Sequence, residues 1–183
     1  MILALWIIIG IAVVIVLYIV FTFNRLISLR NRVDNAWSQI DVQLKRRYEL
    51  IPNLIATVKG YMKHEKGVLT EVTKMRANLV SGSMSEKAKA SDAISNAFKT
   101  IFAVAEDYPK LQASENFKML QEELSGTESK IAYARQFYND NVMALNNGIQ
   151  QFPSSVIAGI LNFKEREFFK TEESEKKSVK VEF

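Results

Sequence analysis

The residues best suited to chemistry in this sequence are one histidine and two adjacent carboxylate pairs. His64 is the only histidine, so it lacks the second and third ligands that zinc and iron sites require. Glu122 and Glu123 are neighbours, as are Glu172 and Glu173, and neighbouring side chains on a helix diverge by about 100°. Neither pair is therefore expected to form a paired-carboxylate site.

Other chemical signatures are missing from the sequence. There is no cysteine, which excludes disulfides, thiol nucleophiles and cysteine-based metal sites. The seven glycines are scattered and form no phosphate-binding loop, and no serine lies in a nucleophile-elbow pattern. We therefore expect a protein that is not an enzyme, with no cofactor, no metal and no small-molecule substrate.

The densest basic run is Lys45, Arg46 and Arg47. Three consecutive helical residues spread over about 200°, so they form no flat patch. We expect Lys45 and Arg46 to face solvent and Arg47 to border the apolar side, where an acid such as Glu128 can pair with it. A structural salt bridge is one interpretation, and contact with an acidic partner or phosphate is the other. No nucleic-acid motif accompanies the run, so nucleic acid is not an expected partner.

These residues lie in a stretch whose large apolar residues recur at steps of three and four. The stripe comprises Leu26, Leu29, Val33, Trp37, Ile40, Leu44, Tyr48, Ile51, Leu54 or Ile55, Val58 and Met62. Such spacing predicts one long amphipathic helix. Trp37 is expected to anchor the core or, if exposed, to contact a partner. Pro52 is expected to kink the helix, because the stripe keeps its phase; a new helix beginning at Pro52 is the alternative.

An uncharged apolar segment, residues 2–23, precedes this stretch. About 20 helical residues cross the hydrocarbon core of a bilayer, so the length fits a transmembrane helix. No Lys or Arg comes before the segment and no Ala-x-Ala follows it, which favours an uncleaved anchor over a signal peptide. The lipid bilayer is therefore the expected partner of residues 2–23.

Flanking charge predicts the orientation of this anchor. Arg25, Arg30 and Arg32 follow the segment directly, so the positive-inside rule places the short N-terminus outside and the remaining chain in the cytoplasm of a single-pass cell-membrane protein. Residues 24–89 hold 13 Lys and Arg but 6 Asp and Glu. This excess is either an ordinary solvated helix surface or a region attracted to anionic lipid headgroups.

Four further helical segments follow, the first with an apolar stripe of Val68, Val72, Met75 and Leu79. Ser83 and Glu86 form a capping-box pattern that begins one of them, and Pro109 is expected to end or bend it. Apolar residues at a spacing near 3.5 over residues 111–149 predict one long helix or two collinear ones. Residues 154–163 are expected to form a short helix packed on the others.

Asparagines cluster late in the last long helix. They are Asn139, Asn141, Asn146 and Asn147. Asparagine is a mediocre helix former, but a buried amide among helices can fix their register. We therefore expect this polar seam to be structural.

The fold class expected is all-α: an N-terminal transmembrane helix, an antiparallel bundle of about four long helices, a short C-terminal helix and a disordered tail. The expected divisions are an anchor at 1–24, a bundle at 25–163 and an extension at 164–183. From residue 171 the chain is small and charged, so it cannot offset the entropy of ordering. Phe183 gives the tail an apolar end that can bind a partner groove or do nothing specific.

Two blocks of the first helix are distinctive: residues 29–37 read Leu-Arg-Asn-Arg-Val-Asp-Asn-Ala-Trp, and residues 41–54 read Asp-Val-Gln-Leu-Lys-Arg-Arg-Tyr-Glu-Leu-Ile-Pro-Asn-Leu. These blocks resemble the LemA family. Residues 108–111, residues 113–117 and the dipeptide Phe-Pro at 152–153 agree with the same family. The resemblance covers nearly the whole chain and implies an N-terminally anchored helical bundle with a short external N-terminus. It implies no reaction, so no catalytic residue is transferred.

We therefore expect a membrane-anchored, non-enzymatic scaffold or adaptor that contacts another membrane protein or a second copy of itself. The alternative is a membrane-surface sensor that binds anionic lipid or a small ligand through the basic half near the anchor. The candidate interaction or signature residues are Arg30, Arg32, Trp37, Lys45, Arg46, Arg47, Pro52 and Phe183.

Overall fold

The computed structural model of the protein describes residues 1–61 and 66–169. The described part contains seven helices and no strand: α1 (Ile2–Lys59), α2 (Lys66–Arg76), α3 (Asn78–Ser81), α4 (Met84–Ala105), α5 (Pro109–Gln112), α6 (Glu115–Gln150) and α7 (Ser154–Ile160). The predicted all-α fold is confirmed. His64, the Glu172–Glu173 pair, the tail from residue 171 and its terminal Phe183 lie outside the described residues.

Helix α1 runs without interruption from Ile2 to Lys59 and includes Pro52. The prediction that the helix continues through Pro52 is confirmed, and a new helix beginning there is wrong. The buried positions of α1 differ from the predicted stripe at two steps. Ala36 and Arg47 are fully buried, whereas their neighbours Trp37 and Tyr48 are partly exposed.

The chain forms two compact units, which we call the span unit and the bundle unit. The span unit comprises Met1–Trp37 and Phe137–Phe168. The bundle unit comprises Ser38–Gln136 and, among the described residues, Phe169. The boundaries predicted from the sequence, 1–24, 25–163 and 164–183, separate the membrane anchor from the rest of the chain and are not based on compactness. They stay a prediction.

In the span unit, α1 and α6 pack in opposite directions. A Cβ atom at Gly148 would lie 3.2 Å from Leu26 Cδ2, so glycine allows the helices to approach closely there. Further along, the Trp37 and Tyr138 rings meet edge to face with centroids 5.6 Å apart. Residues 1–21 of α1 are all exposed, and α1 is the one described helix long and apolar enough to cross a membrane.

In the bundle unit, α1, α2, α4 and α6 alternate in direction. Arg76 on α2 donates from Nε to the Tyr48 carbonyl of α1 at 2.9 Å, and the Phe102 ring of α4 meets the Phe117 ring of α6 with centroids 6.1 Å apart. Helices α1 and α4 run in the same direction, as the first and third helices of such a bundle must. The core residues include Ile40, Leu44, Ile51, Leu54, Val72, Ile94, Phe98, Ile101, Phe117, Leu124 and Ile131.

Local signals set the helix ends in the bundle unit. The predicted capping box is present: Glu86 donates its backbone N–H to the Ser83 hydroxyl, and the Ser83 N–H donates to the Glu86 carboxylate at 2.7 Å. Gly82 precedes the box, and a Cβ there would lie 2.7 Å from the Asn78 carbonyl oxygen. Helix α4 ends at Ala105, and Pro109 begins α5 instead of bending α4.

The late helices follow the prediction closely. Residues 115–150 form one helix, α6, in which Gly126 causes no break. Helix α7 occupies Ser154–Ile160 within the predicted segment 154–163, with Ile157 and Ala158 buried. The chain beyond α7 is non-helical as far as Phe169.

Candidate functional site

The most unusual side chain of the bundle unit is Arg47 on α1. It occupies a core position three residues after Leu44 and four before Ile51, and it is fully buried. A charged side chain at such a position requires partners for its guanidinium group, because an unpaired charge in the core is strongly destabilising. The partners come from α4 and α6.

Helix α4 supplies three acceptors to Arg47. Its Nη1 atom donates to the Ser91 carbonyl at 3.0 Å and to the Ser91 and Ser95 hydroxyls at 3.1 Å each. From α6, the Glu128 carboxylate accepts from Nη2. Ser95 Oγ also lies 2.8 Å and 2.9 Å from the two Glu128 carboxylate oxygens. One guanidinium group therefore joins three helices, and the prediction that Arg47 pairs with Glu128 is confirmed.

A second ion pair lies between α4 and α6 in the same unit. Arg135 Nη1 donates to Asp92 Oδ1 at 2.7 Å, and both side chains are largely buried. The Arg135 guanidinium also lies over the Phe169 ring, 4.6 Å from its centroid. We refer to Arg47, Ser91, Asp92, Ser95, Glu128 and Arg135 together as the polar core.

Burial lowers the pKa of the Arg47 guanidinium, while the charge of Glu128 acts in the opposite direction. Arginine stays protonated at neutral pH despite such a shift, because guanidinium is a very weak acid. The Arg47 side chain is therefore a charged group held by acceptors. Buried ion pairs contribute little net stability, and in some proteins they fix the register of neighbouring helices.

The polar core directs its hydrogen bonds inward. Both Arg47 Nη atoms bond within the protein, as do the Ser95 hydroxyl and Asp92 Oδ1; Arg47 Nε and Asp92 Oδ2 are buried without a protein partner. Within residues 1–61 and 66–169, no three His, Asp or Glu side chains form a group that can hold a metal ion. The arrangement fits structural specification better than catalysis.

The other residues of the basic run lie on the surface, as expected. Lys45 and Arg46 are exposed, and Arg46 pairs with Glu123 at 3.3 Å while both side chains remain about half exposed. Arg47 does not border the apolar side but lies inside the core. The reason is physical: its two Nη atoms find acceptors on α4 and α6, a fact that sequence spacing does not reveal.

The remaining candidate residues do not meet the polar core. Arg30 and Arg32 are exposed in the span unit, and Trp37 packs there against Tyr138 while staying partly exposed. Pro52 is exposed within α1. Their proposed roles in interaction stay predictions.

Asn146, one of the asparagines in the predicted polar seam, binds the backbone of a neighbouring segment in the span unit. The Asn146 amide donates to the Arg166 carbonyl at 3.0 Å and accepts from the Arg166 N–H at 2.9 Å. Tyr138 donates its hydroxyl to the Glu167 carbonyl at 3.0 Å. These bonds hold the non-helical chain after α7 against α6. Asparagine late in an apolar helix was the signal that pointed to this site.

A cavity of about 600 Å³ lies in the span unit where the apolar part of α1 ends. Its wall combines apolar side chains, among them Phe23 and Phe163, with the charged side chains Arg30, Lys164 and Glu165. The Arg30 guanidinium lies 5.9 Å from the Phe163 ring centroid. The cavity is therefore lined by both apolar and charged side chains, and we call its charged residues, Arg30, Lys164, Glu165 and Arg166, the rim.

Comparison with known proteins agrees with these features. The LemA family model matches residues 36–183. The chain is 26% identical over 161 residues to Protein LemA of Metamycoplasma hominis, covering 85% of this chain and 72% of that protein. It is 22% identical to Magnetosome protein MamQ of Magnetospirillum gryphiswaldense and 23% identical to Magnetosome protein MamQ 2 of Paramagnetospirillum magneticum. In both cases 80% of this chain matches 64% of the relative, so it spans less than two thirds of the magnetosome proteins.

The fold and the exposed apolar helix define a membrane-associated helical protein. Because the family match covers most of its length, the chain belongs to the LemA family.

Proposed function

We propose that the protein is a non-enzymatic, membrane-anchored scaffold or adaptor that acts through protein–protein contacts. The observation that carries this proposal is the continuity of α1, which includes both the apolar span and one of the bundle helices. Helix α1 contributes residues to both the span unit and the bundle unit. The inward-directed polar core supports the non-enzymatic part of the proposal.

Exposed apolar side chains of the bundle unit are the candidate contact points. Tyr133 on α6 is 73% exposed, and Met119 on the same helix is 59% exposed. Their spacing of 14 residues puts them on one side of α6, roughly opposite the buried residues Leu124 and Ile131. Exposed tyrosine is a frequent anchor in protein interfaces. Another membrane protein or a second copy of this chain is the proposed partner.

Site-specific photocrosslinking in cells tests this function. The full-length chain carries a photoreactive phenylalanine analogue at Tyr133, and a matched chain carries it at Lys99, an exposed polar position on α4. The proposal expects a discrete adduct from Tyr133 that is absent from Lys99. Two differently tagged copies in the same cell distinguish self-association from a second protein. Equal, diffuse crosslinking from both positions would contradict the proposal.

The proposed orientation places the N-terminus outside and the bundle in the cytoplasm. Arg25, Arg30 and Arg32 support it through the positive-inside rule. A fluorescent reporter and an alkaline phosphatase reporter, each fused after Phe183, test it in parallel. Fluorescence without phosphatase activity is expected, and the reverse pattern would overturn the orientation.

Residues 178–183 are proposed as a further contact of the scaffold. Phe183 is an apolar residue after a charged stretch, and apolar side chains of this kind can enter partner grooves. Deletion of residues 178–183 should then reduce the partner recovered in a pull-down. Unchanged recovery would remove this part of the proposal.

A second candidate function is a sensor of anionic lipid or of a small ligand. The cavity of the span unit favours it, because Arg30 and Lys164 meet apolar side chains beside the end of the predicted span. Basic residues near a bilayer surface attract anionic lipids. Binding of full-length protein in nanodiscs to a fluorescent anionic lipid, and its loss in Arg30→Gln, would separate this function from the scaffold.

A further inference from the structure

Helix α7 has an apolar face that no described part of the protein covers. Val156 is 54% exposed and Ile160 is 78% exposed, while Phe152, just before the helix, is 84% exposed. A step of four puts Val156 and Ile160 on one side of α7, and Phe152 lies outside the helix, before its N-cap residue Pro153. Ala158, on the opposite side of α7, and Ile157, at its flank, are buried. Clustered exposure of this kind marks a contact surface more often than isolated apolar residues do.

Contacts within the span unit place this face beside the end of the apolar span. The Phe163 N–H donates to the Ala158 carbonyl at 2.9 Å, which ties the chain after α7 back to that helix. The Phe163 ring then meets the Phe23 ring edge to face, with centroids 6.3 Å apart. Phe23 is the last residue of the uncharged segment that fits the bilayer.

Charge around this point matches a headgroup layer. Arg30 and Lys164 are exposed on the rim of the adjoining cavity. Glu165 lies on the same rim, and Arg166 is paired with Asp34 at 3.1 Å. Two exposed cations beside one carboxylate leave a net positive rim next to an apolar face, which is the composition of an interfacial membrane contact.

We propose that α7 is a second membrane contact. The side chains of Val156 and Ile160, together with Phe152 before the helix, insert into the leaflet where the apolar span ends. Arg30 and Lys164 contact the anionic headgroups of that leaflet. The bilayer is the favoured partner of this face because the face lies beside the end of the apolar span, residues 2–23, which is itself expected to lie in lipid. The inference does not depend on the scaffold function.

The absence of cysteine makes single labels straightforward. Full-length Ile160→Cys and Val156→Cys carry an environment-sensitive fluorophore and are reconstituted into phosphatidylcholine–phosphatidylglycerol vesicles that contain shallow doxyl lipids. Met119→Cys and Tyr133→Cys, at similarly exposed apolar positions of the bundle unit, are the matched controls. Circular dichroism verifies that each labelled chain keeps its helix content.

Quenching by the doxyl lipids at Ile160→Cys should exceed that at Met119→Cys by about threefold or more, as expected for insertion at the interface. Adding Arg30→Gln and Lys164→Gln should reduce the quenching in anionic vesicles and leave it unchanged in purely zwitterionic ones. Equal quenching at the two positions would overturn the proposal. A label shielded from both doxyl lipid and aqueous iodide would also overturn it, since a second protein copy would then cover the face.

Discussion

The span unit and the bundle unit place polar and apolar side chains in opposite ways. In the bundle unit, Arg47 is fully buried and Asp92 nearly so, and large apolar residues fill the space around them. In the span unit, residues 1–21 are exposed although almost all are apolar. The difference is that the bundle unit removes its apolar surface from water, whereas the exposed apolar surface of residues 1–21 is suited to lipid.

The two units also use their buried polar groups differently. The bundle unit joins helices through side chains, as in the pairs of Arg47 with Glu128 and of Arg135 with Asp92. The span unit uses the Asn146 amide to hold the backbone of Arg166. Side-chain pairs specify which helices meet, whereas an amide–backbone pair orders a segment that has no helical bonds of its own.

Truncation of an apolar side chain should have the largest effect on the free energy of unfolding, and this effect should differ strongly between the bundle unit and the span. Ile94→Ala removes a fully buried side chain from the bundle unit and should cost about 2–5 kcal/mol of unfolding free energy. Ile11→Ala, at a position 56% exposed on the span, should change the same quantity by less than about 0.5 kcal/mol. Urea unfolding in nanodiscs, followed by circular dichroism, measures both. Equal losses of unfolding free energy in the two variants would contradict the proposed difference between the units.

The polar core should show a strong non-additive effect. Glu128→Gln leaves the buried Arg47 charge without its anion and should cost about 2–3 kcal/mol, less than for a fully buried pair because Glu128 is partly exposed. Adding Arg47→Met removes the stranded charge and keeps the side-chain volume, so the double variant should be more stable than Glu128→Gln alone. Chemical unfolding of both variants measures the difference. Additive losses would show that the two groups are not coupled.

Removing the amide–backbone pair of the span unit should have a smaller and local effect. Asn146→Ala removes both bonds to Arg166 and should cost about 1–2 kcal/mol. Amide hydrogen exchange over residues 164–168 should become faster, while exchange in the bundle unit stays unchanged. Asn147→Ala, at an exposed neighbouring position, is the control. Accelerated exchange in that control as well would argue against a specific role for Asn146.

The smallest effect expected is a pH-dependent one at the start of α4. Hydrogen bonds from Ser83 lower the pKa of the Glu86 carboxyl group. A lowered folded pKa means that this stabilisation is fully present above the unfolded value of about 4.3 and is lost as pH falls through the folded value. The difference in Tm between the natural chain and Glu86→Gln should therefore shrink on acidification below that range.

The exposed Glu122→Gln, which lies away from any cap, is the control for this titration. Its Tm difference from the natural chain should show no such decrease. A Glu86→Gln difference that stays constant from neutral to acid pH would contradict the capping role.

Sequence periodicity predicted the helices well because each has a strong apolar stripe and clear end signals. The capping box at Ser83 is an example. Of the two forms expected across Gly126, one long helix or two collinear ones, the single helix is observed. Periodicity failed where a polar or small residue occupies a core position. Arg47 and Ala36 are buried, whereas the apolar pattern predicted burial of their larger neighbours Tyr48 and Trp37.

The polar core could be predicted only in part for a related reason. The pair of Arg47 with Glu128 follows from opposite charges on facing helices, and it was expected. The acceptors Ser91 and Ser95 depend on how α4 is rotated towards α1, which no single sequence reveals. Partner identity is likewise absent from a single chain, because scattered exposed residues such as Tyr133 look the same whether or not a partner binds.

Continuity of α1 is the claim on which the proposed scaffold depends most directly. Hydrogen–deuterium exchange of the full-length chain in nanodiscs measures it residue by residue. The structure predicts uninterrupted slow exchange over residues 24–51, because every amide there lies inside one helix before Pro52. A rapidly exchanging segment between residues 24 and 37 would show a hinge after the span and would contradict the account.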